Sequence, residues 1–275
     1  MTTMDWARLW RDLASQDIQV GSEGQAQMLE RWRKVAKQLD SSGKREGYAD
    51  PLLDFLLSRL EPEMTVLDIG AGVGRWTVPI ARKVARVTAV EPLAGMRQVL
   101  VERAASLDIT NMEVVDAPWM DTQAPPHDVA VASHSTYTTA DLPAFVRKME
   151  RSARRACYLA LRVPSHDGVI GELSQRYRGR WHDSPNFIVG YNLLLSAGIY
   201  ASVLMEPKPV RAWTDATLED AVARAKRHLR VKEPSHDAAI RDLLSRRLEF
   251  VGGVYRWPDA MRSALVYWEP RQGVS

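Results

Sequence analysis

The fold of this 275-residue chain is decided by Val66-Leu67-Asp68-Ile69-Gly70-Ala71-Gly72-Val73-Gly74-Arg75-Trp76. Residues 66–69 form a short apolar run rich in β-branched side chains, which predicts a buried strand. Three glycines follow at alternate positions, and residues 76–81 then have the composition of a helix start. A strand, a glycine turn and a helix make the first βα unit of an open α/β sheet, where ligands bind beyond the carboxyl ends of the strands.

The glycine spacing distinguishes between kinds of ligand. A dinucleotide fingerprint, G-x-G-x-x-G, needs a third glycine at the position of Arg75, whereas this chain has G-x-G-x-G. The next predicted strand, 85–90, ends at Glu91, whose carboxylate can accept both hydroxyls of a ribose. The pattern Asp68-x-Gly70-x-Gly72-x-Gly74 with Glu91 one strand later resembles class I S-adenosylmethionine (SAM)-dependent methyltransferases. The alternative is a turn that packs a helix on a strand and binds nothing.

The resemblance implies an α/β fold with a seven-stranded, mostly parallel, Rossmann-like sheet and helices on both faces. It covers about residues 50–206 and the last strand, which is antiparallel in that family. It implies SAM as cofactor and S-adenosylhomocysteine (SAH) as product, with Asp116 near the adenine amine and the Ala117 N–H near a ring nitrogen. The cofactor-binding residues predicted in this way are Asp68, Gly70, Ala71, Gly72, Gly74, Glu91, Asp116, Ala117 and Ser133.

The loop after the fourth predicted strand, 128–132, contains two candidate catalytic residues. His134 and Tyr137 lie in a loop at the carboxyl edge of the sheet, where the transferred methyl group should point. A histidine whose pKa lies near the working pH can act as a general base. It can equally be a structural histidine hydrogen-bonded to its neighbours, and the sequence leaves both roles open.

The whole chain is predicted to have two parts. Residues 1–45 are predicted to be an N-terminal helical extension, with amphipathic helices over 4–16 and 25–40 that pack on the domain, form a lid or make a homodimer contact. Residues 46–275 are predicted to be the methyltransferase domain, with an insertion over 163–198 after the fifth strand. A polar, aromatic insertion at this edge suits a substrate cap, although an ordinary solvated helix and loop fits as well. The acceptor-binding candidates are His166, Arg178, Arg180 and His182.

Composition narrows the possible partners and location. Lys and Arg number 37 against 34 Asp and Glu, and the net charge of +3 is a weak argument for nucleic-acid binding. Cys157 is the only cysteine, so no disulfide within the chain and no thiolate metal cluster is expected, and the histidine spacings match no metal motif. No signal-like or membrane-spanning apolar run is evident. The sequence therefore predicts a soluble, cytoplasmic protein without a metal or a membrane partner.

The predicted function is SAM-dependent methyl transfer to a small-molecule acceptor. The loop after strand four lacks the motifs of amino-methylating and cytosine-methylating nucleic-acid enzymes. Two alternatives remain open at this point. One is an RNA or protein methyltransferase that uses the arginine-rich helices, and the other is a non-catalytic SAM-binding subunit.

Overall fold

The computed structural model describes residues 4–17, 30, 33–34, 36–37, 49–164, 168–179, 184–207, 211–229, 231 and 233–271. Most of the predicted helix over 25–40 lies outside these ranges. Three of the predicted acceptor-binding residues, His166, Arg180 and His182, also lie outside them.

Nine strands in the described ranges form the sheet structure, and seven of them lie in one continuous path. The strands are β1 (Thr65–Ile69), β2 (Arg86–Val90), β3 (Met112–Val115), β4 (His127–Ser133), β5 (Ala153–Val163), β6 (Ser202–Met205), β7 (Arg211–Asp215), β8 (Glu249–Val251) and β9 (Val254–Trp268). The path runs β3-β2-β1-β4-β5-β9-β6. The first five strands pair in parallel, whereas β9 is antiparallel to both β5 and β6. The predicted seven-stranded, mostly parallel sheet is confirmed.

Nine α-helices in the described part of the chain connect these strands. They are α1 (Trp6–Asp17), α2 (Pro51–Ser58), α3 (Thr77–Ala81), α4 (Ala94–Ser106), α5 (Leu142–Arg151), α6 (Val169–Arg178), α7 (Phe187–Ser196), α8 (Leu218–Leu229) and α9 (Asp237–Arg247). Alternate side chains of β5 pack into two different hydrophobic cores, one on each face of the sheet. Leu159 and Leu161 pack with α1, α5 and α7 on one face, whereas Tyr158 and Ala160 pack with α2 and α3 on the other. The sheet thus has helices on both faces.

Helix α1 packs onto the main core through its apolar stripe. Trp10 is fully buried, and its indole Nε1–H donates a hydrogen bond of 2.8 Å to the Thr139 carbonyl oxygen in the loop after β4. Leu13 and Ala14 are buried in the same cluster. Of the roles predicted for the N-terminal extension, packing on the domain is therefore the one that α1 fulfils, and a homodimer through these helices stays a prediction.

The predicted cap over 163–198 is split between two parts of the molecule. Helix α7 belongs to the main core, whereas α6 packs with α8, α9 and Trp257 in a separate core. In this second part, β7 and β8 pair with the first half of β9 and form a small additional sheet. We call α6, β7, α8, α9, β8 and residues 254–261 the cap module. Sequence patterns miss its strands because β7 and β8 pair with the first half of β9, where Pro258 interrupts the strand pattern.

The cap module stands at the carboxyl edge of the main sheet. Helix α6 follows the end of β5, and β7 follows the end of β6, which is parallel to β5 because both pair antiparallel with β9. The chain returns from the module along β9 into the same edge. Since the carboxyl edge is where an open α/β sheet binds ligands, the module is placed beside any site there.

Candidate functional site

The glycine loop after β1 has a backbone that only glycine adopts readily. Gly70, Gly72 and Gly74 have φ angles of +77°, +58° and +83°, in the left-handed region that a Cβ atom disfavours. The Gly70 and Ala71 N–H groups both donate to the Val90 carbonyl oxygen, at 2.8 and 3.1 Å. These bonds hold the loop against the end of β2.

The three glycines differ in what a side chain would meet. A Cβ atom on Gly70 would lie 2.3 Å from the Ser135 Cβ atom, and one on Gly74 would lie 2.6 Å from Leu100 Cδ1. At Gly72 the nearest atom is Met96 Sδ, at 3.9 Å. Gly70 and Gly74 are therefore needed for packing, whereas Gly72 presents bare backbone to a space that a ligand can approach.

Glu91 connects the glycine loop to the end of β2. Its carboxylate is only 4% exposed and accepts hydrogen bonds from the Gly72 N–H at 2.8 Å and the Leu93 N–H at 2.9 Å. Burial raises the pKa of Glu91, opposed by these two bonds and by the charge of Arg97. A carboxylate has about four lone-pair positions, so each oxygen keeps capacity for a hydroxyl donor.

Asp68 is a second buried carboxyl group beneath the loop. It is 2% exposed, and the Thr77 hydroxyl donates to its Oδ2 at 2.6 Å. Burial raises the pKa of Asp68 to about 6, opposed by the Thr77 bond and reinforced by the negative charge of Glu91. Asp68 thus fixes the start of α3 behind the loop and does not lie on an open surface.

The raised pKa of Asp68 predicts how stability changes with pH. The folded state binds the Asp68 proton more tightly than the unfolded state does. The resulting contribution to the free energy of unfolding is complete below pH about 4 and is lost as the pH rises through about 6. In Asp68→Asn, the free energy of unfolding measured by urea denaturation should therefore fall less between pH about 4 and 7 than in the wild type.

A matched control is Asp128→Asn. Burial pushes the pKa of Asp128 up, but hydrogen bonds from Thr65 and the charge of Arg155 outweigh it and hold the pKa below its usual value. The contribution of ionised Asp128 to the free energy of unfolding is therefore lost only below pH about 4. In Asp128→Asn, the change of the free energy of unfolding with pH above about 4 should stay as in the wild type. Equal slopes for Asp68→Asn and the wild type would contradict the raised pKa.

The remaining predicted cofactor residues also lie at the carboxyl edge. Asp116 follows β3 and forms an ion pair with Arg97, whose Nη2 lies 2.6 Å from Oδ2. Arg97 also donates from Nη1 to the Glu91 carbonyl oxygen at 2.9 Å, which ties the ends of β2 and β3 together. Ala117 and Ser133 are half-buried at the ends of β3 and β4. The structure thus brings the predicted set to one edge, and its role with a cofactor stays a prediction.

His134 is held by hydrogen bonds at both ring nitrogens. Its Nδ1 lies 2.7 Å from the Tyr137 hydroxyl, which itself accepts the Arg162 N–H at 2.7 Å. The assignment that gives every group a partner has the Tyr137 hydroxyl donating to Nδ1 and the hydrogen of His134 on Nε2, 3.3 Å from the Ser263 hydroxyl. The ring therefore bridges the loop after β4 to β9.

The electrostatic setting of His134 makes it a weak base. Burial and the positive charges of Arg75 and Arg162 lower its pKa to about 3, although Asp50 acts in the opposite direction. Burial also raises the pKa of Tyr137 to about 12. Both side chains are thus neutral around pH 7, and efficient general-base catalysis favours a pKa near the working pH. This geometry favours the structural role, while the catalytic role of His134 and Tyr137 stays a prediction.

A row of polar residues crosses four neighbouring strands at this edge. Arg162 on β5 lies opposite Ser263 on β9, and opposite residues of an antiparallel pair share one face of the sheet. The Ser263 N–H donates to the buried Glu206 carboxylate at 2.5 Å, just beyond β6. We call Tyr137, His134, Arg162, Ser263 and Glu206 the edge cluster. The loop that contributes its first two members also contacts the glycine loop, because the Ser135 hydroxyl donates to the Ile69 carbonyl oxygen at 2.6 Å.

This arrangement agrees with the match to a known family. The sequence profile of a family described as a methyltransferase domain matches residues 42–191, more than half of the chain. The chain belongs to this methyltransferase family. The predicted family resemblance is thereby confirmed.

Solved structures show the same fold at low sequence identity. A proposed methyltransferase from Bacillus halodurans superposes with a TM-score of 0.54 and 13% identity, covering 80% of this chain and 99% of its own. The YcgJ protein of Bacillus subtilis gives a TM-score of 0.53 at 15% identity, covering 81% and 99%. These likenesses support the class I methyltransferase fold.

A relative from Haemophilus influenzae, described as an uncharacterized protein, is 27% identical over 180 residues. The matched region covers 63% of this methyltransferase and 65% of the relative, slightly less than two thirds of its length.

Several residues that the sequence analysis did not single out lie beside the predicted ones. Asp50 caps α2 and pairs with Arg75, whose Nη2 lies 2.5 Å from Oδ2, while the Trp76 indole N–H donates to the same oxygen. The dipeptide Asp50-Pro51 is a recognisable helix-start signal, so this position was open to prediction. Arg162, Ser263 and Glu206 carry no local signal, because only the register of β5, β6 and β9 brings them together.

Three further features bear on the earlier predictions. Arg178 is the last residue of α6, in the cap module. No helix in the described ranges is long and apolar enough to cross a membrane. Within the same ranges, no three His, Cys, Asp or Glu side chains gather closely enough to hold a metal ion, and the absence of a metal stays a prediction.

Proposed function

We propose that this methyltransferase binds SAM at the glycine loop and transfers its methyl group to a small-molecule acceptor, releasing SAH. The observation that carries the proposal is the contact between Glu91 and the Gly72 N–H. It places a buried carboxylate directly beside the one loop glycine whose backbone is open to a ligand. When bound, SAM supplies a methyl group on a positively charged sulfur, which makes that carbon electrophilic.

The residues at the loop fit the polar groups of SAM. Glu91 can accept the two ribose hydroxyls, and Asp116, at the end of the next strand, can accept the adenine amine. Gly72 allows the ligand to lie against the backbone. Asp68 remains behind the loop and supports it through Thr77. These residues bind and orient, and none needs to exchange a proton with the cofactor.

The edge cluster suits the acceptor end of the reaction. Holding an acceptor atom in line with the sulfur–methyl bond lowers the barrier by about 7–11 kcal/mol through orientation alone. The neutral His134 and Tyr137 brace Arg162 and Ser263 in fixed positions. The cluster therefore positions an acceptor through hydrogen bonds and charge.

Enclosure at this edge favours a small acceptor over a polynucleotide. Glu206 is 3% exposed, and the Thr136 side chain in the loop after β4 is fully buried. The cap module rises beside them from the ends of β5 and β6. A net charge of +3 also gives little general attraction for a phosphate backbone.

Transfer of a labelled methyl group tests the proposal. The protein is incubated with methyl-labelled SAM and, separately, with the small-molecule, RNA and protein fractions of a cell extract. Label should appear in a component of the small-molecule fraction, and Glu113→Ala, an exposed change on β3, should not reduce it. Label in RNA or protein alone would overturn the small-molecule acceptor. Tight SAM binding with no label in any fraction would favour a non-catalytic subunit.

A further inference from the structure

Buried polar atoms without hydrogen-bond partners occur at the carboxyl edge of the main sheet and on α6 of the cap module. Within the described residues there are four such side-chain atoms, namely Thr136 Oγ1, Arg162 Nε, Ser174 Oγ and Tyr177 Oη. Thr136 lies in the loop after β4, Arg162 at the end of β5, and the other two on α6. Buried polar groups in native proteins are nearly always paired, so the unpartnered Nε of Arg162, a member of the edge cluster, marks a place where a polar partner can bind.

Arg162 carries the charge of this group. Its guanidinium lies over the Tyr137 ring, with the central carbon 4.8 Å from the ring centroid. No carboxylate of the described residues forms an ion pair with it. Arg75, the other cation near His134, is already paired with Asp50. Among the described residues, Arg162 is therefore a guanidinium without an ion pair, and its buried Nε–H has no acceptor. Glu206, the carboxylate of the edge cluster, accepts from the Ser263 N–H instead.

We propose that Arg162 binds a carboxylate of the methyl acceptor, so that the substrates of this enzyme are small carboxylic acids. This inference rests on the proposed function, because it places the acceptor at the edge cluster. A guanidinium presents two parallel N–H donors that match the two oxygens of a carboxylate. Arg162 supplies one positive charge, and the Glu206 carboxylate lies in the same cluster, so a monoanion fits this place better than a phosphate dianion does.

The surroundings of Arg162 fix its orientation for this task. The backbone N–H of Arg162 donates to the Tyr137 hydroxyl. Ser263, which lies opposite Arg162 on β9, is on the same face of the sheet. The buried hydroxyls of Thr136 and Ser174, which are 0% and 1% exposed, lie on the elements that flank the end of β5.

Binding of benzoate to the whole protein tests the assignment without knowledge of the natural acceptor. Benzoate is titrated with and without saturating SAH while the 15N–1H signal of the Arg162 Nε group is followed by NMR, with benzamide as the neutral counterpart. We expect saturable binding of benzoate, at least tenfold weaker binding of benzamide, and at least tenfold weaker benzoate binding in Arg162→Gln. Arg162→Lys should be intermediate, because it keeps the charge and loses the paired donors.

Arg155→Gln is the matched control, since Arg155 lies at the other end of β5, is exposed and pairs with Glu61. It should bind benzoate as the wild type does. Equal benzoate affinity in Arg162→Gln and the wild type, or no saturable binding, would overturn the proposal, as would tighter binding of inorganic phosphate than of benzoate. SAH affinity, measured in the same samples, should change less than threefold in Arg162→Gln. Failure of the wild type to bind SAH would refute the proposed function instead. The benzoate titration without SAH would still decide the role of Arg162.

Discussion

Replacing Glu91 by Ala should weaken SAM binding by about 30- to 1000-fold, corresponding to about 2–4 kcal/mol. The change removes the acceptor for both ribose hydroxyls. It also removes the partner of the Gly72 and Leu93 N–H groups, so the loop loses its link to the end of β2. Isothermal titration calorimetry with SAM and SAH measures the effect directly.

Two control variants separate the causes of this loss. Glu91→Gln keeps the shape of the side chain and one oxygen acceptor but removes the charge, so its affinity should lie between those of the wild type and Glu91→Ala. Glu113→Ala removes an exposed carboxylate from β3 and should bind SAM as the wild type does. If Glu91→Ala and the wild type had the same dissociation constant, Glu91 would not contact the cofactor.

Alanine at Gly72 and at Gly70 should have different consequences, although the two glycines are only two residues apart. At both positions the left-handed backbone costs about 1–2 kcal/mol with a Cβ atom. At Gly70 the added atom also meets Ser135 Cβ at 2.3 Å, and overpacking of this kind adds about 1–3 kcal/mol. Gly70→Ala should therefore lose more folding stability than Gly72→Ala.

For Gly72→Ala, in contrast, the loss of SAM affinity should be large and the loss of folding stability small. In Gly72→Ala the nearest atom is 3.9 Å away, so the protein should stay folded. The methyl group nevertheless occupies the face of the loop that a ligand approaches, and affinity for SAM should fall at least tenfold. Urea denaturation and calorimetry on both variants measure the two effects. Wild-type SAM affinity in a folded Gly72→Ala protein would mean that the loop has only a structural role.

The part of the site carried by local sequence was predictable. The loop from Asp68 to Gly74 combines a buried strand, three positions that require glycine and a helix start, and each of these depends on near neighbours in the chain. Glu91 was predictable because a strand end places it at the same edge. The seven-stranded, mostly parallel sheet with an antiparallel last strand followed from the family resemblance, and the structure confirms it.

The acceptor end was not predictable in the same way. The edge cluster is assembled by pairing of β5, β6 and β9, whose members Arg162 and Ser263 are separated by 101 positions in the numbering. No local pattern reports such a register. The cap module was missed for a related reason, because its small sheet uses the first half of β9, far from β7 in the sequence.

His134 shows where residue type alone misleads. The sequence marks it as a histidine at the correct edge, which is equally compatible with a base and with a structural group. The bonds to Tyr137 and Ser263 and the pKa of about 3 come from tertiary packing and from the charges of Arg75 and Arg162. Neither Arg75 nor Ser263 is close to position 134 in the chain.

A crystal structure of the protein with SAH bound would show directly whether the glycine loop and Glu91 hold the cofactor. We expect both ribose hydroxyls to lie within about 3 Å of the Glu91 carboxylate oxygens. We also expect SAH to lie against the bare backbone of Gly72, with its sulfur facing the edge cluster around Arg162. SAH bound elsewhere, or bound with its ribose away from Glu91, would refute cofactor binding at this loop.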